Sequence, residues 1–337
     1  MTDEYSPEVV ADLKRMVADG LGQWDLSESA QISLLNLSEN ATFLLSDPGS
    51  RRELILRVHR VGYSSADEID SELCWIRALR SSGAVDTAAP LPARNGELVQ
   101  TLASPGGREA RYAVAFERLP GTEPDSTRDG TAWFERLGAL TASMHAHAKS
   151  WTLPAGFRRR RWDLSAMVGP QAHWGSWRAA AGLTAADIAI VEHAVHDIVG
   201  RLERYGAGPE RFGLIHADMR LANLLVDGER LRIIDFDDCG FSWYLYDFAT
   251  AISFIEHQPE VPALLRAWLA GYRRVAPLSA QEQSEIPTFV ALRRIVLTAW
   301  LASHAEVPFA RQFGEAYTRG TVRLAQQMLA GNLLAGP

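Results

Sequence analysis

Between Asn223 and Phe236 the chain reads "NLLVDGERLRIIDF", two apolar runs of strand-forming residues joined across an Asp-Gly pair. That pattern is a strong short-range signal for a β-hairpin, because Asp and Gly tolerate the backbone of a tight turn. Folding the arms together brings Asn223, at the head of the first, opposite a residue close to Asp235, at the end of the second. The register depends on loop length, but the consequence does not. An amide oxygen and a carboxylate converge at one end of the hairpin, with Asp218 just upstream in a loop. Hard oxygen donors of this kind suit Mg2+, which keeps several waters and takes a few protein oxygens together with substrate phosphates.

The rest of the chain must supply a scaffold for that hairpin. At 337 residues it is too long for most single cores, and about 100–200 residues per domain favours two lobes. A hydrophobic share of 47% and a charged share of 22% belong to a folded globular protein rather than a disordered one. The net charge of −7 repels a phosphate backbone, so no nucleic-acid partner is expected, although the run Arg158 to Arg161 could meet a small anion. The N-terminus lacks the basic start and apolar core of a signal peptide, and no stretch reads as a membrane span, so a cytoplasmic location is expected. Cys74 and Cys239 are far apart and form no CxxC pair, which signals neither a disulfide framework nor a zinc site.

Pro7 to Leu21 has helical apolar spacing at Val9, Val10, Leu13 and Val17. From Ile32 to Arg60 short apolar runs are separated by "SENA" and "SDPGSR", which predicts antiparallel hairpins. A helix follows with Ile69, Leu73, Ile76 and Leu79 on one face, then strand candidates "LVQTL" and "YAVAFERL" around the turn "SPGGRE". After "LPGTEP" the pattern becomes helical over Ala132 to His147, Ala185 to Tyr205, Val261 to Arg274 and Ile286 to Ala302. The best boundary is Pro120 to Pro124, which gives an N-terminal lobe over 1–119 and a helical lobe over 120–337.

"HADMRLAN" followed by "IIDFDD" resembles the HxDxxxxN and (I/V)D(F/W)(D/E) signature of the aminoglycoside phosphotransferase-like branch of kinase-like proteins. That branch includes choline kinases, kinase-like homoserine kinases, hydroxylysine kinases and bacterial stress-response Ser/Thr kinases. The chain looks nearest the homoserine kinase and stress-response branches. The resemblance implies an α+β, bilobal protein-kinase-like fold with a small antiparallel N-terminal sheet and a larger helical C-terminal lobe. It also implies ATP and Mg2+, with Asp218 as the catalytic carboxylate beside His216, which orients the loop. Asn223 and Asp235 become the metal ligands, Asp237 an auxiliary carboxylate on the same strand face, and Asp247 the support of the catalytic loop from a following helix. A lone His or Asp at a loop edge is most often structural, whereas this set at this spacing argues for phosphoryl transfer. Relatives usually carry Gly where this chain has Ala217, and a methyl there disfavours a positive φ.

The same resemblance implies a cation on the phosphates, for which "ELILRVHR" offers Arg57. Its partner is expected on the next helix. Glu72 lies within that helix's apolar face, where an unpaired carboxylate is costly, with Glu68 as the competitor. Neither GxxxxGK[ST] nor GxGxxG occurs, but "LSENATF" is similar to the phosphate loop of this branch, which points to Ser38, Asn40 and Thr42. "YAVAFERLPG" resembles the hinge, with the backbone of Glu117 and Leu119 facing adenine.

The acceptor is less well specified. "LPAGFRRRRWDL" and "HWGSW" offer Arg and Trp for an acidic or amino-acid-like group, or a solvated face, while Glu256 and His257 offer a place for an ammonium. The expected activity is transfer of the γ-phosphate to a hydroxyl of a small molecule: an amino alcohol, a hydroxy amino acid or an aminoglycoside-like compound. A protein Ser/Thr acceptor, a nucleotide-binding pseudokinase and a metal phosphohydrolase are the alternatives, the last lacking the further His ligands such sites need.

Overall fold

Contacts divide the chain into one unit of Met1–Pro120 with Leu153–Arg158, and a second of Gly121–Thr152 with Arg159–Pro337. The computed structural model describes residues 6–104, 109–125 and 129–335, so most of the "SPGGRE" turn lies outside the described residues. Leu153–Arg158 groups with the first unit, where a single cut at 119/120 gives it to the second. A reason is visible at its end: the Arg158 N–H donates to Ser71 Oγ at 2.8 Å.

In the first unit, helix α1 (Pro7–Gly20) starts at a Ser6 side-chain cap, with Pro at the first turn where its missing N–H costs nothing. It buries Val9, Leu13, Met16 and Val17 against Phe43, Leu45, Leu54 and Leu56 of the sheet. The strands are β1 (Gln31–Leu37), β2 (Ala41–Asp47) and β3 (Arg52–Val58), then after helix α2 (Ala66–Ser82) come β4 (Pro90–Leu91), β5 (Val99–Leu102) and β6 (Arg111–Glu117). They form one sheet in the order β1-β2-β3-β6-β4, with β5 also on β6, and every pairing is antiparallel. Strand β2 alternates cleanly between buried and half-buried positions, as a sheet with one covered face requires. Helix α2 opens with a capping box between Ser65 and Glu68 and closes on Gly83 in the left-handed region.

The second unit runs α3 (Gly130–Ser150), β7 (Arg160–Arg161), α4 (Leu164–Val168), α5 (Ala185–Tyr205), β8 (Phe212–Ile215), β9 (Leu224–Asp227), β10 (Arg230–Ile233) and β11 (Gly240–Trp243). It ends with α6 (Tyr246–Ala251), α7 (Val261–Arg273), α8 (Ala280–Ser284), α9 (Ile286–Ser303), α10 (Pro308–Arg311) and α11 (Gly314–Leu329). The opening sequence feature is the hairpin β9–β10, whose register pairs Arg230 with Asp227 and Ile233 with Leu224. Its two-residue loop places Gly228 at φ 59, the first loop position, where a tight hairpin turn needs glycine. A second small sheet joins β8 antiparallel and β7 parallel to β11.

Helix α9 is the centre of this unit, with every residue from Thr288 to Trp300 buried. Ala280–Ser303 is long and apolar enough to cross a membrane by composition, contrary to the reading of the sequence, but 78% of that window is buried inside the protein itself. Helices α3 and α7 approach so closely that a Cβ at Gly138 would collide with the Trp268 carbonyl, and one at Gly271 with the Glu135 carbonyl. The two glycines are therefore the contact points of the pair. Gly271→Ala is expected to lower stability by about 1–3 kcal/mol, the usual cost of overpacking, in chemical denaturation. An unchanged denaturation midpoint would mean that the helices do not meet there.

Candidate active site

The hairpin sets the first contacts. Beyond the paired residues, Ile234 N–H donates to the Asn223 carbonyl at 2.9 Å, so Asn223 and Asp235 stand one residue apart across the end of the ladder. The Asn223 amide donates from Nδ2 to the Asp218 carbonyl and to Asp218 Oδ2, both at 2.8 Å. Because both partners are acceptors, the NH2 end of the amide must face Asp218 and its oxygen must face away. The Asn223 amide oxygen and the Asp235 carboxylate are the oxygen donors at this end of the hairpin. Among the described residues there is no cluster of three or more His, Cys, Asp or Glu that could hold a metal by itself. Two oxygen donors do fit Mg2+, which binds chiefly through water and phosphate oxygens.

Asp218 sits on a loop that the protein holds from behind. Ala217 N–H donates to Asp247 Oδ1 at 2.8 Å and His216 N–H to Asp247 Oδ2 at 3.2 Å, while Met219 N–H donates to Thr250 Oγ1 at 3.0 Å. Ala217 has φ 65, the left-handed conformation that a methyl resists and that glycine in relatives would adopt freely. His216 is fully buried, and its ring nitrogens both serve the main chain: Nε2 donates to the Ile234 carbonyl at 3.1 Å, and Nδ1 accepts the Asp218 N–H at 3.3 Å. It ties the loop to the hairpin.

Behind Asp247 stands His145 of α3, which the sequence did not single out. Its Nε2 donates to Asp247 Oδ2 at 3.0 Å and its Nδ1 accepts the Tyr272 hydroxyl at 3.1 Å. Burial holds this imidazole below its ordinary proton affinity, outweighing the neighbouring Asp247 carboxylate, which acts the other way. Burial thus favours the neutral ring.

Asp235 has φ 62, and β10 ends at Ile233, so Asp235 to Asp238 form a turn rather than a strand. The expectation that strand alternation puts Asp235 and Asp237 on one face is corrected by this: no pleat runs through them. The turn is held by the arginine run. Arg159 is buried and donates through Nε to the Cys239 carbonyl at 2.7 Å and through Nη2 to the Asp237 carbonyl. Arg160 lies 3.6 Å from the Asp238 carboxylate, and Trp162 Nε1 donates to the Asp238 carbonyl at 2.8 Å. Arg161 is exposed, beside Asp163 and the Phe212 ring. The run thus divides: Arg159 and Arg160 fasten the segment after Asp235, while Arg158 and Arg161 are exposed beside the carboxylates of Asp67 and Asp163.

In the first unit, Arg57 of β3 and Glu72 of α2 are both buried and meet at 2.7 Å, with one guanidinium nitrogen on both carboxylate oxygens. Glu68 is engaged instead as the capping residue of α2. Thr42 pairs with Arg57 across the sheet. In the β1–β2 turn, Ser38 N–H is bound to the Asn40 carbonyl at 3.0 Å and the Asn40 side chain accepts the Arg60 N–H at 3.2 Å. Glu117 ends β6, its N–H on the Ala89 carbonyl at 2.8 Å, and Leu119 follows half-buried.

Of the expected acceptor groups, Glu256 is 3% exposed and paired with Arg294 at 2.8 Å, with the Tyr317 hydroxyl at 3.2 Å. It is not open to an ammonium, while His257 is exposed. The neighbouring Arg293, also missed, joins Asn223 and Arg220 on Asp218: its Nη2 donates to Asp218 Oδ1 at 2.7 Å. Burial disfavours its charge, but Tyr246 and Asp218 beside it more than reverse that, so it stays a cation. The signal for both was legible, since two arginines interrupt the apolar helix "VALRRIVLTAWL".

Residues 32–278 match the description "Phosphotransferase enzyme family". The solved structure of a microcompartment-associated aminopropanol kinase is 43% identical, covering 95% of this chain and 99% of that one, with a TM-score of 0.87. A homoserine kinase of Neisseria meningitidis serogroup B is 34% identical over 80% of this chain and 81% of its own length. The amicoumacin kinase of Bacillus subtilis is 25% identical over 84% of this chain and 83% of its own.

The His145 contact has a pH consequence. Its proton affinity is depressed in the folded chain, so the unfolded chain binds that proton first as pH falls. The stability it supports is fully present above about 6.5, the unperturbed value, and declines as pH drops below it. Denaturant midpoints taken from pH 8 to pH 5 should show a smaller acid decline in His145→Gln than in the natural chain. Parallel curves would mean that His145 is not the buried neutral ring described.

Proposed function

The chain belongs to the phosphotransferase enzyme family and acts as a small-molecule kinase on a hydroxyl group, and we propose that its acceptor is a short amino alcohol. The observation that carries the reading is Asp218 set between Asn223 and Arg293 on a loop fixed by Asp247. The acceptor class rests on the 43% identity to the aminopropanol kinase, above the 34% to the homoserine kinase of Neisseria meningitidis and the 25% to the amicoumacin kinase. These three relatives are each named for a small molecule, which favours such an acceptor over a protein Ser/Thr.

In this reading Asp218 accepts the hydrogen bond of the acceptor hydroxyl and aims its oxygen. That oxygen bonds to the γ-phosphorus of ATP as the bond from phosphorus to the β–γ bridging oxygen breaks. The hydroxyl proton passes to Asp218 and on to water, and ADP leaves with the bridging oxygen. Asn223 and Asp235, with Asp237 as auxiliary carboxylate, are the proposed holders of Mg2+, which when bound neutralises phosphate charge. In the N-terminal unit Arg57, kept in place by Glu72, is the proposed cation for phosphate oxygens, bordered by Ser38, Asn40 and Thr42. The backbone of Glu117 and Leu119 is proposed to take adenine. His216 and Asp247 hold the loop and exchange no proton with substrate.

Little covalent chemistry is asked of the protein, so positioning and charge supply the rate. ADP release with ATP and Mg2+, measured against 1-aminopropan-2-ol, ethanolamine, homoserine and an aminoglycoside, should give kcat/KM for an amino alcohol about 10-fold or more above the others. Asp218→Asn should lower kcat by about 10²–10⁴-fold. Turnover of homoserine or the aminoglycoside ahead of both amino alcohols would overturn the acceptor assignment while leaving the kinase intact.

A further inference from the structure

Asp218 is held by more donors than its loop requires. Asn223 Nδ2 at 2.8 Å and Arg220 Nε at 3.3 Å both lie on Oδ2, whereas Arg293 Nη2 at 2.7 Å is the protein donor on Oδ1. A carboxylate offers about four lone-pair directions, two on each oxygen. Two protein groups thus crowd Oδ2, by a hydrogen bond from Asn223 and an ion pair with Arg220, which makes Oδ1, beside the Arg293 guanidinium, the more open oxygen for a substrate hydroxyl.

Arg293 is itself immobile. It is 3% exposed, its Nε donates to Ser253 Oγ at 3.0 Å, and its guanidinium lies 5.5 Å from the Trp174 ring centroid and 6.0 Å from that of Tyr246. Helix α9, which carries it, is fastened at the next residue. Arg294 reaches Glu256 at 2.8 Å, the Tyr317 carbonyl at 2.8 Å and Thr321 Oγ1 at 2.9 Å. Arg293 also reaches the loop backbone through a long Nη1 contact to the Ala217 carbonyl at 3.5 Å, but the N–H groups of His216, Ala217 and Met219 are taken by Asp247 and Thr250, and its shortest bond is to Asp218. What Arg293 acts on is the carboxylate.

We propose that Arg293 is a positioning residue for phosphoryl transfer, fixing the Asp218 rotamer so that Oδ1 receives the acceptor hydroxyl. This rests on the reading of Asp218 as the carboxylate that takes that proton. A guanidinium suits the task better than an ammonium, because one nitrogen grips Asp218 while another is anchored on Ser253. An orientation error of the order of 1 Å at such a group costs about 100-fold in rate.

The test compares Arg293→Ala, Arg293→Lys, Arg294→Met and Asp218→Asn in steady-state kinetics with ATP, Mg2+ and 1-aminopropan-2-ol, each variant first checked for folding by near-UV circular dichroism. Arg293→Ala should lose about 100-fold in kcat with KM for ATP changed by less than about 3-fold, and added methylguanidinium should restore part of the rate. Arg293→Lys should fall between the two, and it carries the test if the alanine variant does not fold. Arg294→Met, which breaks a buried pair on the same helix, should lower the melting temperature but keep the natural kcat in the folded protein. A folded Arg293→Ala with natural kcat overturns the proposal. So does a loss that neither lysine nor methylguanidinium relieves, because that is the behaviour of a purely structural ion pair. Natural turnover in Asp218→Asn overturns the underlying reading instead, and the proposal with it.

Discussion

The buried carboxylate of Asp247 is the contact from which the loop bearing Asp218 takes its shape. It accepts two successive backbone N–H groups, from His216 and Ala217, and is held from the other side by the neutral ring of His145. Each hydrogen bond to a charged group contributes about 1.5–3 kcal/mol. The left-handed backbone at Ala217 opposes them with about 1–2 kcal/mol. Two such bonds outweigh that strain, which is why the chain tolerates alanine at a turn better suited to glycine. Remove the carboxylate, and two buried N–H groups lose their acceptor just where Asp218 must be aimed.

Around that hub the fold repeats one solution: several buried charges are met by an opposite charge on another element. Glu72 holds Arg57, Glu256 holds Arg294, and Asp218 is met by Arg293. Breaking such a pair leaves an uncompensated buried charge, so each pins two elements at a defined distance. Arg159 extends the same logic to main-chain carbonyls, fastening the turn that presents Asp235.

Much of this was legible where the signal is local. The β9–β10 hairpin follows from two apolar runs and a glycine, and its register from a two-residue loop. Glu72 was legible because a carboxylate on an apolar helix face demands a partner one sheet away. The same argument applies to Arg293 and Arg294, but their partners lie 75 and 38 residues distant in sequence, and spacing says nothing about contacts brought together by tertiary packing. Glu256 was misjudged for that reason: its partner on α9 closes it to a ligand. The alternation expected for Asp235 and Asp237 failed because β10 stops at Ile233, and the arginine run, whose role its charge left open, divides between the buried Arg159 and the exposed Arg158 and Arg161. His145 left no trace at all, being one of two histidines near the end of an otherwise ordinary helix.

The claim at the centre of this account is that Asp247 shapes the 216–219 loop through the backbone, without holding up the fold as a whole. Amide hydrogen exchange on Asp247→Asn measures that residue by residue. Protection should fall at His216 and Ala217 while the amides of α9 and of the β2–β3 pairing keep theirs. Unchanged protection at His216 and Ala217, or a uniform loss across the chain, would contradict it.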